Sequence, residues 1–185
     1  MMHLNRKMSQ LLIIDIQDKV FAPIPNGAQI IDRTIKLIEA ATLLEIPITV
    51  SEHYPKGIGA TIAPIRRALG DDVPTFEKLH FSCLKDEALR LRFEENRDLG
   101  RGQIVIAGLE THVCVGQTAL NLITEGYEVF LAADATGARS DLSRELAFAR
   151  LRQAGAIIVD SEMVIFEWLE KAGTAEFKSM LPLLK

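Results

Sequence analysis

The chain has 185 residues, 48% of them hydrophobic, which fits one domain with a single apolar core. Its 21 Lys+Arg against 25 Asp+Glu leave a formal net charge of −4, with no basic stripe interleaved with aromatics, so nucleic acid is a poor partner. No stretch approaches the ~18 apolar residues of a membrane span and residues 1–10 lack the apolar core of a secretion signal, so a cytoplasmic location is expected, and Cys83 and Cys114 are expected to stay reduced.

Apolar runs suited to buried strands recur at Gln10–Ile14, Ile48–Val50, Val73–Phe76, Ile104–Ala107, Glu128–Ala132 and Ala156–Val159. Between the first two, Ile31, Ile35, Ile38, Ala41 and Leu44 keep helical spacing, with Asn26 as N-cap and Pro47 ending the run. Gly57–Pro64 reads as a loop and helix entry. Leu84, Ala88 and Leu91 begin a second helical face that runs towards Gly100. Leu142, Leu146 and Ala149 mark a third, between Ser140 as N-cap and Gly155 as stop. The segment Glu162–Lys171, with Phe166, Trp168 and Leu169, either closes the core or faces a partner. Strands alternating with helices predict an α/β fold, a parallel sheet covered on both faces, in one domain spanning 1–185.

In such a sheet, ligands bind beyond the carboxyl ends of the strands. Asp15 follows the first strand, His53 and Tyr54 the second, Lys78 the third and Asp134 the fifth, while Cys114 lies beyond the fourth. A thiol at a helix start feels the positive end of the helix dipole and unpaired N–H groups, which favour thiolate and can hold an oxyanion. Position alone leaves open the plainer reading of a small buried hydrophobe. A carboxylate that takes the thiol's proton would make it a nucleophile, and a lysine beside that carboxylate would keep it from being an unpaired buried charge. Asp15 and Lys78 suit those roles, against the alternatives of a turn cap and a loop ion pair.

Three segments resemble the isochorismatase-like cysteine hydrolases: Ile14-Asp15-Ile16-Gln17-Asp18, Phe76-Glu77-Lys78-Leu79-His80-Phe81-Ser82 and, above all, Gly108-Leu109-Glu110-Thr111-His112-Val113-Cys114-Val115-Gly116-Gln117-Thr118-Ala119. The likeness runs from about Gln10 to Phe177. Glu52 to Gly59 and Ala149 to Ala156 look most like the small isochorismatase domain-containing proteins. The resemblance implies a three-layer α/β/α, doubly wound, Rossmann-like sheet of six parallel strands in the order 3-2-1-4-5-6. It also implies a catalytic triad of Asp15, Lys78 and Cys114 in an amidohydrolase that passes through a thioester. A cis Leu109-Glu110 bond is expected with it, aiming the backbone N–H groups of Glu110 and Cys114 into an oxyanion hole. Assembly as a homo-oligomer is implied as well.

Departures from the family pattern narrow the chemistry. Metal-dependent relatives carry an aspartate and two histidines after the second strand, whereas this chain reads Ser51-Glu52-His53-Tyr54-Pro55. Neighbours on an extended segment point opposite ways, so Glu52 and His53 are not expected to share an ion, and no metal or other cofactor is assigned. His53, Tyr54, Phe81 and Gln17 are the candidate contacts for a small-molecule substrate. His112 is a candidate for a subunit contact, Cys83 for a structural role, and Asp134 and Arg139 for organising the loop after the fifth strand. Two other functions compete: a non-catalytic interaction protein that keeps the fold, and a thiol redox protein with Cys83 as the resolving partner.

Overall fold

The computed structural model describes residues 3–184. In chain order the elements are β1 (Ser9–Ile14), α1 (Asp18–Phe21), α2 (Gly27–Leu43), β2 (Ile48–His53), α3 (Pro55–Ile58), α4 (Ala63–Leu69), β3 (Thr75–Lys78), α5 (Glu87–Asp98), β4 (Gln103–Leu109), α6 (Cys114–Thr124), β5 (Glu128–Gly137), α7 (Asp141–Ala154), β6 (Ile157–Val159), α8 (Ser161–Leu169) and α9 (Ala175–Leu184). A 3-10 turn, Cys83–Lys85, precedes α5.

The strands form one six-stranded sheet in the order 3-2-1-4-5-6, every pairing parallel. β1 lies between β2 and β4, with Leu11 paired to Ile48 on one side and to Val105 on the other. Side chains on a strand alternate between faces. Leu11 and Ile13 therefore join the core under α2, α4, α8 and α9, while Leu12 and Ile14 join the core under α5, α6 and α7. Burial on both faces explains why the strands read as unbroken apolar runs. Strand order reverses between β1 and β4, and there the loops after the two strands part and leave a crevice.

Gly108 lets these two strands close up. Its φ is +148°, and a Cβ there would stand 2.3 Å from the Ile14 carbonyl oxygen, so a side chain is excluded on two counts. Gly116 is confined in a similar way, because a Cβ would meet the Thr111 carbonyl oxygen at 2.8 Å. Both glycines bracket Cys114 and allow α6 to start hard against the end of β4.

The helix starts and stops follow the caps. Asn26 stands before α2 in a left-handed conformation without a side-chain cap. Ser140 accepts from the Ser143 N–H, and Gly155 ends α7 at φ +107°. Two apolar faces fall elsewhere than expected. In α5 the buried residues are Leu89, Phe93 and Asn96; Leu91 is largely exposed and Leu84 belongs to the 3-10 turn. In α7, Ala147 and Leu151 face the sheet, while Leu142 and Leu146 are 66% and 61% exposed. Each helix carries two apolar stripes at permissible spacing, and packing against the sheet selects between them. β5 is longer than the apolar run suggested, so Asp134 lies within the strand. α8 closes the core: Trp168 is fully buried and its Nε1 donates to Ser9 Oγ at 3.0 Å.

Candidate active site

Asp15 is the first residue past β1, and the chain turns there at φ +53°. Its N–H still reaches the Ser51 carbonyl at 3.1 Å, extending the β1–β2 ladder by one bond. That turn drives the carboxylate back into the crevice, where only 1% of the residue is exposed. Oδ1 accepts from Ser51 Oγ at 2.7 Å and Oδ2 accepts from Lys78 Nζ, also at 2.7 Å. Lys78 ends β3 and is itself buried. Its remaining donors go to the His80 and Phe81 carbonyls at 3.3 and 3.2 Å, so the ammonium is satisfied by one carboxylate and two backbone oxygens. Burial acts to lower the Lys78 pKa, but Asp15 and the neighbouring thiols outweigh it and the net shift is upward. The lysine is a cation locked to its carboxylate.

Cys114 is the first residue of α6, as its sequence position indicated. Its side chain joins the same group, lining one cavity with Asp15 and feeling the charge of that carboxylate. The expected thiolate is not the resting form. Burial pushes the thiol's pKa far up and the Asp15 charge adds to it, which together outweigh the lowering by Lys78. A neutral thiol beside an ionised carboxylate is the pair that a base-assisted attack requires.

Glu110 shapes the approach to the cysteine. Among the described residues no peptide bond is cis, so the expected cis Leu109-Glu110 bond is corrected. The chain reverses instead through Glu110 at φ +59° and Val113 at φ −118°, ψ −92°. The Glu110 carbonyl accepts from the Val113 and Val115 N–H groups. The N–H groups of Glu110 and Cys114 donate to no backbone carbonyl among the described residues. The Glu110 carboxylate accepts from Arg139 Nε at 2.8 Å. Its other oxygen lies 3.3 Å from His112 Nδ1 without a hydrogen bond between them.

A cavity of about 360 Å³ opens onto Asp15 and Cys114. Val20, Pro23, Ile58, Phe81, Leu109 and Val113 supply its apolar walls, and Lys19, His53, Glu110 and Arg139 its polar ones. The His53 ring lies 5.3 Å from Phe81, centroid to centroid. Burial, then the Lys78 charge, depresses the His53 pKa, so the imidazole is neutral at physiological pH. A second hollow of about 330 Å³, walled by Lys85, Arg90, Glu94 and Tyr127 among others, shares no residue with this one.

Two expected substrate contacts do not reach the cavity. The Gln17 amide is spent on backbone: Nε2 donates to the His53 and Gly59 carbonyls and Oε1 accepts from the His53 N–H. Gln17 thus fixes His53, and it is fully buried. The Tyr54 ring lies over Gly57 and forms no part of the cavity wall, because Tyr54 turns left-handed at the start of α3. Glu52 faces away from His53, as strand alternation requires, and one of its oxygens accepts from both the N–H and the hydroxyl of Thr61. Asp134 binds the N–H and hydroxyl of Ser161, tying β5 to α8 rather than ordering a loop. Lys19 and the side chains of Glu110 and Arg139 went unrecognised as cavity residues; only the position of Arg139 just past β5, on the same rim, pointed to it.

Cys83 is fully buried, its N–H bonded to Thr118 Oγ1 at 3.0 Å. Burial first, then the Asp15 charge, pushes its pKa from the ordinary 9.0 to about 11. Between those two values the folded protein keeps a proton that the unfolded chain loses. Stability is therefore expected to fall with rising pH there, by about 1.4 kcal/mol per pH unit from this thiol. Urea unfolding at pH 8, 9 and 10 measures the slope, and Cys83→Ala is expected to remove that share of it. An unchanged slope would assign the alkaline loss to other groups.

Residues 9–163 match the family model for the isochorismatase domain. The chain belongs to the isochorismatase family. The secreted isochorismatase effector Isc1 of Phytophthora sojae is 36% identical over 179 residues, covering 96% of this chain and 84% of that protein. Isochorismatase domain-containing protein 2 of Xenopus laevis is 34% identical over 177 residues, covering 96% and 83%. Among solved structures, the MAR1 ribonuclease from Caenorhabditis elegans superposes with a TM-score of 0.91 at 32% identity, over 98% of this chain and 92% of that one. The fold is thus the hydrolase fold of the isochorismatase family.

Proposed function

We propose that this family member is a metal-independent hydrolase of a small molecule, one domain over 1–185, that cleaves an amide-like carbon–nitrogen bond. The observation that carries the reading is the set at the cavity floor: a neutral thiol beside a carboxylate that a buried lysine holds at 2.7 Å. Asp15 takes the Cys114 proton as Sγ attacks the carbonyl carbon. The oxyanion that forms is received by the N–H groups of Glu110 and Cys114, both left without backbone partners. Asp15 then gives the proton to the leaving nitrogen, the C–N bond breaks, and an amine or ammonia departs from a Cys114 thioester. Water attacks that thioester, losing a proton to Asp15, which returns it to Sγ as the acid leaves. Lys78 pairs with Asp15 whenever its carboxylate is free of the proton, and His53 and Phe81 contact the substrate.

The competing readings have less support. A redox pair with Cys83 would need a thiolate and an accessible partner, whereas both thiols are pushed up and Cys83 is fully buried. The ribonuclease name of the Caenorhabditis elegans structure concerns a polyanionic substrate, and the net charge of −4 here does not favour one. No helix among the described residues is long and apolar enough to cross a membrane. Cytoplasmic residence is proposed from the two free cysteines, although the Phytophthora sojae relative is named a secreted effector. Self-association is proposed as well, with the exposed Leu142 and Leu146 as its apolar surface.

The test is intact-protein mass spectrometry after brief exposure to a panel of small amides and carbamoyl compounds, with ammonia release followed alongside and a chelator present. An adduct on Cys114 together with ammonia is expected, both lost in Cys114→Ala. Ammonia release that survives Cys114→Ala would end the thioester mechanism. A panel without adducts, in protein whose Cys114 still alkylates, would favour the non-catalytic interaction protein.

A further inference from the structure

We infer that the cavity selects an anionic substrate: a small, otherwise apolar amide carrying a carboxylate a few bonds from the carbonyl that Cys114 attacks. Charge placement carries the inference. Of the two carboxylates in the walls, Asp15 is neutralised by Lys78, and the Glu110 side chain is only 13% exposed. Arg139, which binds Glu110 through Nε, is 61% exposed, so the carboxylate sits behind and the guanidinium is what the cavity meets. Its Nη groups make no hydrogen bond among the described residues, which leaves the two-pronged edge that pairs with a planar carboxylate. Lys19 is the second exposed cation in the wall, and its Nζ donates to the Gly57 carbonyl at 2.8 Å. That single bond leaves two N–H donors on Lys19. His53 is neutral and adds no charge. The cavity therefore presents an unmatched positive charge within otherwise largely apolar walls.

Connectivity limits where the anion sits. Arg139 is joined to Glu110 through one side chain and one hydrogen bond, and both line the same cavity as Cys114. A carboxylate held by Arg139 thus lies a short spacer from the reacting carbonyl. Planar recognition favours carboxylate over a tetrahedral anion, and the volume of about 360 Å³ limits the rest of the molecule to a small group.

The substrate class rests on the hydrolase reading, but the charge preference can be measured without it. Cys114 is alkylated in the folded protein with iodoacetate and, separately, with iodoacetamide, two reagents of nearly equal size that differ by one charge. The rate ratio is divided by that of free cysteine, and peptide mass mapping confirms the site. Because the ratio compares reagents on one thiol, the fraction of thiolate cancels. We expect a ratio about tenfold above free cysteine at low salt. It should fall towards the free-cysteine value in Arg139→Gln and fall only partly in Lys19→Gln and in Arg139→Lys, which keeps the charge but not the two-pronged edge. A ratio at or below that of free cysteine, or one that neither Gln variant alters, would overturn the inference. A raised ratio in a protein that hydrolyses no amide would sink the hydrolase reading and leave the anion preference standing. Amide hydrolysis with no charge preference would do the reverse.

Discussion

Asp15→Asn is expected to separate two properties of Cys114 that usually move together, lowering amide hydrolysis about 10²- to 10⁴-fold while raising the rate of alkylation by iodoacetamide at pH 7.5 several-fold. The loss follows from the missing base: asparagine can still accept from Lys78 through its Oδ1 while its N–H2 group turns to the Ser51 hydroxyl, which can accept, yet it takes no proton from the thiol. The gain follows from the charge. Burial and the Asp15 carboxylate hold the Cys114 thiol in its neutral form. Removing that carboxylate leaves the Lys78 ammonium as the nearest charge, and a thiolate then becomes its natural partner. The sign is decisive. If the helix terminus already ionised the thiol, the substitution would leave alkylation unchanged. If Asp15 served only to hold the fold, both rates would fall together with the melting temperature. Stopped-time alkylation read by mass, beside ammonia release and a thermal melt, distinguishes the three.

How far the sequence reached depends on what each feature required. Strand positions and sheet order were legible because burial on both faces leaves long apolar runs and because the motif around Cys114 is specific. The rim rule placed Asp15, His53, Lys78 and Cys114 at one edge, and in the structure those side chains meet. The failures share a cause. Gln17 and Tyr54 lie on the correct rim, but the direction of a side chain past a strand end is set by local turns: the left-handed backbone at Tyr54, and the bonds that draw the Gln17 amide onto the His53 backbone. The apolar faces of α5 and α7 were misjudged because Leu91, Leu142 and Leu146 are as hydrophobic as the residues that do pack. The thiolate was misjudged because a helix terminus is visible in sequence, whereas burial and the approach of Asp15 are tertiary facts. Glu110 and Arg139 pair across two loops, and no local pattern announces such a pair.

Lys78→Met carries the largest expected cost in stability, about 3–5 kcal/mol at pH 7, and it should abolish turnover. Methionine fills much the same volume, so packing is nearly preserved and the loss is electrostatic. Three acceptors lose their donor at once: Asp15 Oδ2 and the carbonyls of His80 and Phe81. Asp15 is then a buried carboxylate with Ser51 as its one remaining side-chain donor from the site described, and taking up a proton is its cheapest relief. A protonated Asp15 cannot accept the Cys114 proton, so the base is lost although the residue remains. The two carbonyls also hold the loop bearing Phe81, so substrate binding should weaken with it. In the variant the folded state binds the Asp15 proton more tightly than the unfolded state does, a contribution present at low pH and lost as pH rises. The deficit relative to the unsubstituted protein should therefore shrink between pH 7 and pH 5. Urea unfolding at both values measures it. Pairing Lys78→Met with Asp15→Asn should cost clearly less than the sum of the two single changes, because neither then leaves a buried charge unmatched. Additive costs and a deficit independent of pH would instead mean that Lys78 contributes packing and backbone bonds alone, and that the carboxylate is solvated well enough to stand without it.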